Sequence, residues 1–199
     1  MATLELLLAL SAGLGLAAAC GFRIFVPFFV AAIGKQSGLP LLDGLPSWLG
    51  SLSAVVVLGT ASVVEVFAYY IPWVDNLLDT ISSPMAVLAG VLAFAGVNGE
   101  LEPVWRWSLA AIAGGGAAGA AQTATVLTRA ASSGTTGGLA NPIVSTVELG
   151  VAGATSLLSL LLPPLALLVL AYIAWKLVAL ARSRRQKTSA RNLPLDSAQ

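Results

Sequence analysis

Glu65 and Glu148 each stand inside a run that is otherwise apolar, and Arg23 does the same near the start of the chain. A charge at the centre of a membrane helix costs about 2.5–3.5 kcal/mol on insertion scales, so such a residue normally faces a partner or a water-filled cavity. Two carboxylates and a guanidinium are the groups that would line an ion, proton or substrate path, with Arg129 as a second cation. Two plainer readings stand beside that one. Arg23 and one glutamate could form a buried structural pair, or each charge could lie near an interface and reach water with its head.

Asp75 and Asp79 are four apart and share one face of a helix. That spacing would suit a bound cation. Tyr69, Tyr70 and Trp73 stand just before them, so a membrane-interface belt with its acids in water fits equally well. Asn141-Pro142 follows Gly137-Gly138 and reads as a helix start. Free N–H groups there could hold an anion, or could simply begin a helix.

Other chemistries are excluded. The chain has no histidine and one cysteine, Cys20. An internal disulfide, a His/Cys metal site and an imidazole-based triad are therefore impossible. The expectation is no catalytic residue, no metal and no cofactor: not an enzyme. Residues 114–119 formally match a dinucleotide-binding glycine pattern, but no strand precedes them and they lie in an apolar helix. Gly115 and Gly119 instead have the spacing that lets helices pack backbone to backbone, within the chain or between subunits.

The elements that carry these residues follow from composition. Of 199 residues, 57% are hydrophobic and only 10% are charged, with a mean hydropathy of +0.89. Soluble domains carry about 25% charged residues. A chain this poor in charge cannot cover its own surface in water, so lipid is part of its solvent. The fold class expected is all-α and polytopic. A span needs about 20 mostly apolar residues, which gives six candidates: 6–33, 49–70, 84–97 with an extension, 107–131, 142–162 and 164–180. The first contains Gly21, Arg23 and Pro27, and reads as a kinked helix or as a span followed by a half-helix. Residues 35–48, 98–106 and 132–138 read as loops, and 71–83 as an interfacial stretch. No Lys or Arg precedes the first apolar run, and Glu5 does, so the run is expected to be retained rather than cleaved.

Residues 1–181 thus read as one transmembrane domain and 182–199 as a polar, disordered tail. Net charge is only +1, yet Lys176, Arg182, Arg184, Arg185, Lys187 and Arg191 cluster at that end. A basic tail beside an apolar span marks the cytoplasmic side better than it marks nucleic acid binding. Six spans then place both termini in the cytoplasm.

Two halves of the chain, about 4–98 and 103–181, look alike. Residues 11–20 can be laid on 112–121, Ser62-Val-Val-Glu65 on Ser145-Thr-Val-Glu148, and 76–84 on 156–164, in one order. Three spans per half would give the halves opposite orientations, with broken or kinked first elements, the inverted-repeat plan of many secondary transporters.

Gly21-Phe-Arg-Ile-Phe-Val-Pro27, the stretch from Glu65 to Asp79 and Asn141-Pro-Ile-Val-Ser-Thr-Val-Glu148 carry a further likeness. On these motifs the chain resembles the bacterial multi-pass membrane proteins of the domain-of-unknown-function family 4126. The resemblance implies an inner-membrane location and supplies no substrate or site residues. The function expected from the residues is a small secondary transporter or channel-like permease for a small solute or ion. Alternatives are a flippase or binding protein for lipid phosphates, and a non-catalytic scaffold of a membrane complex. Partners would be membrane lipid and a second copy of the chain in a homodimer, not nucleic acid.

Overall fold

A computed structural model describes residues 3–173, 175, 176 and 179; the side chains of Pro72, Trp73, Asp75 and Asn76 lie outside it, as does the basic tail, 182–199. Helices dominate and, among the described residues, there is no strand. In order they are α1 (Thr3–Cys20), α2 (Phe25–Gln36), α3 (Leu52–Ala68), α4 (Pro72–Val97), α5 (Pro103–Leu109), α6 (Gly115–Thr136) and α7 (Asn141–Leu161), then α8 (Pro163–Ile173). A π-turn, Ala110–Gly114, joins α5 to α6 without a break.

Local chemistry sets several boundaries. Proline occupies the first turn of α4, α5 and α7, where its missing N–H costs nothing. The Ser51 hydroxyl caps α3 by accepting from the Ala54 N–H at 3.1 Å. Gly137, at φ +63°, ends α6 in the left-handed conformation that glycine tolerates.

The bundle is apolar outside and partly polar inside. Val56, Val57, Val63, Val64 and Phe67 of α3 are exposed, whereas Arg23, Arg129, Glu148, Ser145 and Ser156 are buried. Contiguous apolar surface on this scale is unstable in water and natural in lipid. Thr3–Cys20, Leu77–Val97 and Asn141–Leu161 are long and apolar enough to cross a membrane, and α2, α3 and α8 are shorter apolar helices.

The first apolar run is a hairpin, not a kinked rod. Gly13 of α1 lies against Phe94 and Asn98 at the end of α4, while Arg23 bonds Ser145 near the start of α7. Gly34, near the end of α2, lies against Leu160 at the far end of α7. The chain therefore reverses at residues 21–24, and α2 runs back beside α7. Irregular backbone at membrane depth is tolerated only inside protein, and this turn is largely buried. Gly21 allows it: a Cβ there would sit 2.9 Å from the Gln122 backbone nitrogen on α6.

Beyond the hairpin, directions alternate. The end of α4 meets the start of α1, where the Asn98 amide donates to the Ala9 carbonyl at 3.2 Å. Helix α8 lies beside α1: Ala166 stands next to Gly15, and Leu167, Leu170 and Ile173 wall one cavity with Leu14, Ala18, Phe22 and the α6 residues Ala117 to Ala124. Against the six spans expected, three helices among the described residues are long and apolar enough to cross a membrane, and the run expected as the first span is divided between α1 and α2.

Other expectations also shift. The stretch 71–83 is helical, the first half of α4, a single helix of 26 residues, and the stretch long and apolar enough to cross a membrane begins within it at Leu77. Helix α5 begins inside the expected loop 98–106, and α6 continues through most of 132–138. The match of 11–20 on 112–121 pairs α1 with α6, which run the same way, so an inverted repeat cannot use it; α2 is the early element antiparallel to α6. The glycine spacing packs within the chain. Gly115 receives Val91 and Val87 of α4, and Gly119 receives Val87. The closest backbone approach lies one residue earlier, where a Cβ on Gly114 would stand 2.7 Å from the Gly90 carbonyl.

Candidate functional site

Four elements converge on the turn that holds Arg23. The end of α3 brings Tyr69, α4 brings Asp79 and Ser82, α6 brings Arg129, and α7 brings Ser145 and Glu148. Arg23 and Arg129 are 1% and 2% exposed, and Glu148 is 5% exposed. Arg129 lies seven residues before the end of α6, about 10 Å of helix from that end.

Glu148 holds both cations. Arg129 grips it in a fork, Nε to Oε1 at 3.1 Å and Nη2 to Oε2. Arg23 Nη2 donates to Glu148 Oε2 at 3.2 Å, to the Ser145 carbonyl at 3.0 Å and to Ser145 Oγ at 2.5 Å. Arg129 Nη1 also lies 3.7 Å from Asp79 Oδ1. Both guanidiniums stand over the Tyr69 ring, at 4.2 and 3.8 Å from its centroid. Cations placed this way gain from the ring's quadrupole, more so away from water. The Tyr69 hydroxyl is anchored to Ser82 Oγ at 2.9 Å. Desolvating two cations and a carboxylate is expensive, and only such dense pairing offsets it.

Glu65 does a different job. Its Oε1 accepts from the Ile24 N–H at 2.9 Å and its Oε2 from the Phe25 N–H at 3.2 Å. The first N–H groups of a helix have no internal partner. The carboxylate satisfies two of them and meets the positive end of the α2 dipole.

The structure thus brings Arg23, Glu148 and Asp79 into one cluster, with Glu65 at its border. Asn141 sits one turn before Ser145 on α7; its side chain is buried and donates to Ser133 Oγ at 3.2 Å. The Asp75 side chain lies outside the described residues. Gly115 and Gly119 lie in the α4–α6 contact, away from the charges. Tyr69, Ser82 and Ser145 were not singled out from the sequence. Ser145 and Glu148 share a helix face by spacing, a signal that was available, whereas Tyr69 looked like part of an interfacial belt.

The cluster is short of acceptors. Arg23 Nε and Nη1 are buried with no hydrogen-bond partner in the protein, so a water, an ion or another small acceptor would satisfy them. On α6, Gln122 Nε2 and Thr125 Oγ1 are likewise buried and unpartnered. With Arg129 they form a polar stripe at helical spacing. A cavity of about 290 Å³, lined by Ser83, Gln122, Thr123 and others, opens at the stripe's far end. Among the described residues, no group of three or more His, Cys, Asp or Glu side chains is placed to hold a metal. What the arrangement can do is bind an anion against two guanidiniums and exchange it for the carboxylate they share.

One family matches the chain: a domain of unknown function (DUF4126), over residues 10–183. No curated protein and no solved structure matches.

Proposed function

The chain belongs to the DUF4126 family, whose description assigns no activity, and we propose from its own residues that it is a small membrane carrier coupling the passage of a small anion to a proton. The observation that carries this is the pair of unpartnered donors on Arg23 beside a carboxylate shared by two guanidiniums. With Glu148 ionised, the carboxylate is the anion that both arginines hold. A proton on Glu148 weakens that hold, and an incoming anion takes over the freed N–H groups. Proton and anion enter and leave together, so the buried site never carries an extra charge, the costly condition in low dielectric. Gln122 and Thr125 offer polar contacts along the route. No catalytic step is assigned.

The test is flux into proteoliposomes loaded with a pH-sensitive dye and given inward gradients of chloride, inorganic phosphate or succinate. At least one anion should acidify the lumen faster than in empty vesicles, and Arg23→Gln should abolish the difference. The reading fails if the folded parent passes none of them, or if Arg23→Gln carries the same flux.

Topology follows from charge. The end of the bundle reached by α8 leads into the basic tail, while the opposite end carries Glu100 and Glu102 with Lys35 and Arg106. The excess of basic residues supports a cytoplasmic tail, and alternating directions then put the N-terminus outside. Of the two-halved plan, the match of 62–65 on 145–148 pairs α3 with α7, which run in opposite senses and support inversion; the match of 76–84 falls mainly on the end of α7 and adds nothing to it. Reporter fusions check the orientation: alkaline phosphatase should be active on the N-terminus and green fluorescence should appear on the C-terminus. Both reporters agreeing on one side would mean an even number of crossings.

A further inference from the structure

Helices α3 and α4 are joined by only three residues, yet they do not close on each other. Helix α3 leans on α2, and the space between α3 and α4 is open. Two adjoining cavities of about 640 and 730 Å³ fill it, each within the range of ligand pockets. They share Ile24, Phe25 and Met85, so they form one cleft. Along α4 it extends from Leu78 to Gly96, about 27 Å of helix, nearly the thickness of a bilayer's hydrocarbon core.

Its walls are almost wholly apolar, and its two ends differ in charge. At one end stands Arg106, whose Nε donates to the Ala95 carbonyl at 2.7 Å and is thereby fixed at the mouth. Among the described residues Arg106 forms no ion pair. Trp107 and Trp48 line the same end, both exposed, as tryptophans at headgroup level are. At the other end lies Glu65, with both oxygens committed to α2.

We propose that this cleft holds an acyl chain of an anionic glycerophospholipid, with the lipid phosphate on Arg106 and the chain running toward Tyr69. The charge pattern selects both the headgroup and its direction. An unpaired cation at the interfacial mouth attracts phosphate, as basic pockets between membrane helices do. A carboxylate at the inner end would repel a phosphate placed there. This site is independent of the carrier reading and shares none of its charged groups.

The experiment uses full-length protein in phosphatidylcholine vesicles containing a minor fraction of phosphatidylglycerol with a photoactivatable group in its chain. Labelled phosphatidylcholine serves as the comparison, and cross-linked peptides are mapped by mass spectrometry. Labelled phosphatidylglycerol should mark Leu88, Leu92 and Phe28 in preference to the outer face of α8 at Leu168 and Tyr172. It should exceed labelled phosphatidylcholine in the cleft by about fivefold, the effect of one basic residue at a lipid surface. Arg106→Gln should bring that ratio to about one, and Arg106→Lys should keep it. Leu88→Trp, which fills the cleft without touching the charge, should remove cleft labelling and leave α8 labelling intact. Equal labelling of the cleft and α8, or a ratio indifferent to Arg106→Gln in folded protein, would mean ordinary surrounding lipid and overturn the proposal. So would a cleft protected from both lipids by a second copy of the chain.

Discussion

Replacing Glu148 by leucine should cost the protein about 3–5 kcal/mol, enough to remove the folded form from detergent extracts near room temperature. The size comes from what is left behind. Glu148 is the shared partner of two guanidiniums that are almost fully buried. Without it Arg23 keeps only Ser145 and the Tyr69 face, and Arg129 keeps Asp79 at 3.7 Å. Two cations then share one aromatic ring with no carboxylate between them. Glu148→Gln should cost less, because the amide retains shape and one acceptor oxygen. The specific signature is rescue. Adding Arg129→Met to Glu148→Leu should recover the share of the loss that comes from Arg129, with the rest remaining because Arg23 still lacks its carboxylate. Thermal unfolding in detergent, followed by tryptophan emission, gives the four corners of the double-mutant cycle. Glu148→Leu melting with the parent would mean that water reaches the cluster.

In the sequence, Glu65 and Glu148 look equivalent: both sit in apolar runs after similar residues. The structure separates them because their partners are distant in the chain. Glu65 reaches back 41 residues to Ile24, and Glu148 reaches 125 residues to Arg23. No periodicity encodes such pairings. The start of α7 was legible because Pro142 acts locally, whereas Pro72 and Pro103 also open helices but stand among polar residues that read as an interfacial stretch and a loop; the apolar runs were legible because lipid imposes them. The reversal at 21–24 was not legible. The run is apolar on both sides of the turn, and only Gly21 against α6 and Glu65 on the α2 N–H groups decide that the chain doubles back. Polar stretches misled for a related reason. In a protein apolar outside and polar inside, Asp79 and Ser82 can point to a buried cluster as readily as to water, so 71–83 resembled an interface. Tyr69 suffered the same ambiguity. An aromatic residue near polar ones fits a membrane belt, and nothing local says that two guanidiniums will cover it.

The second large effect is expected at Glu65, and it distinguishes a cap from a path. Glu65→Ala leaves the Ile24 and Phe25 N–H groups without their side-chain partner. Hydrogen bonds to charged groups contribute about 1.5–3 kcal/mol each, so the two together hold about 3–6 kcal/mol, concentrated at the start of α2. Glu65→Gln keeps one acceptor oxygen and should lose roughly half. The consequence should be local before it is global. Amide hydrogen exchange should accelerate across residues 24–30, while α6 and α7 around the Arg129–Glu148 fork keep their protection. Unchanged exchange in α2 with flux abolished would instead place Glu65 on the transport route itself. Because its two oxygens are already committed to backbone donors, the carboxylate has little left for a solute. The hairpin it holds is what presents Arg23 to Glu148, so losing the cap should weaken anion coupling only as far as it lets the turn move.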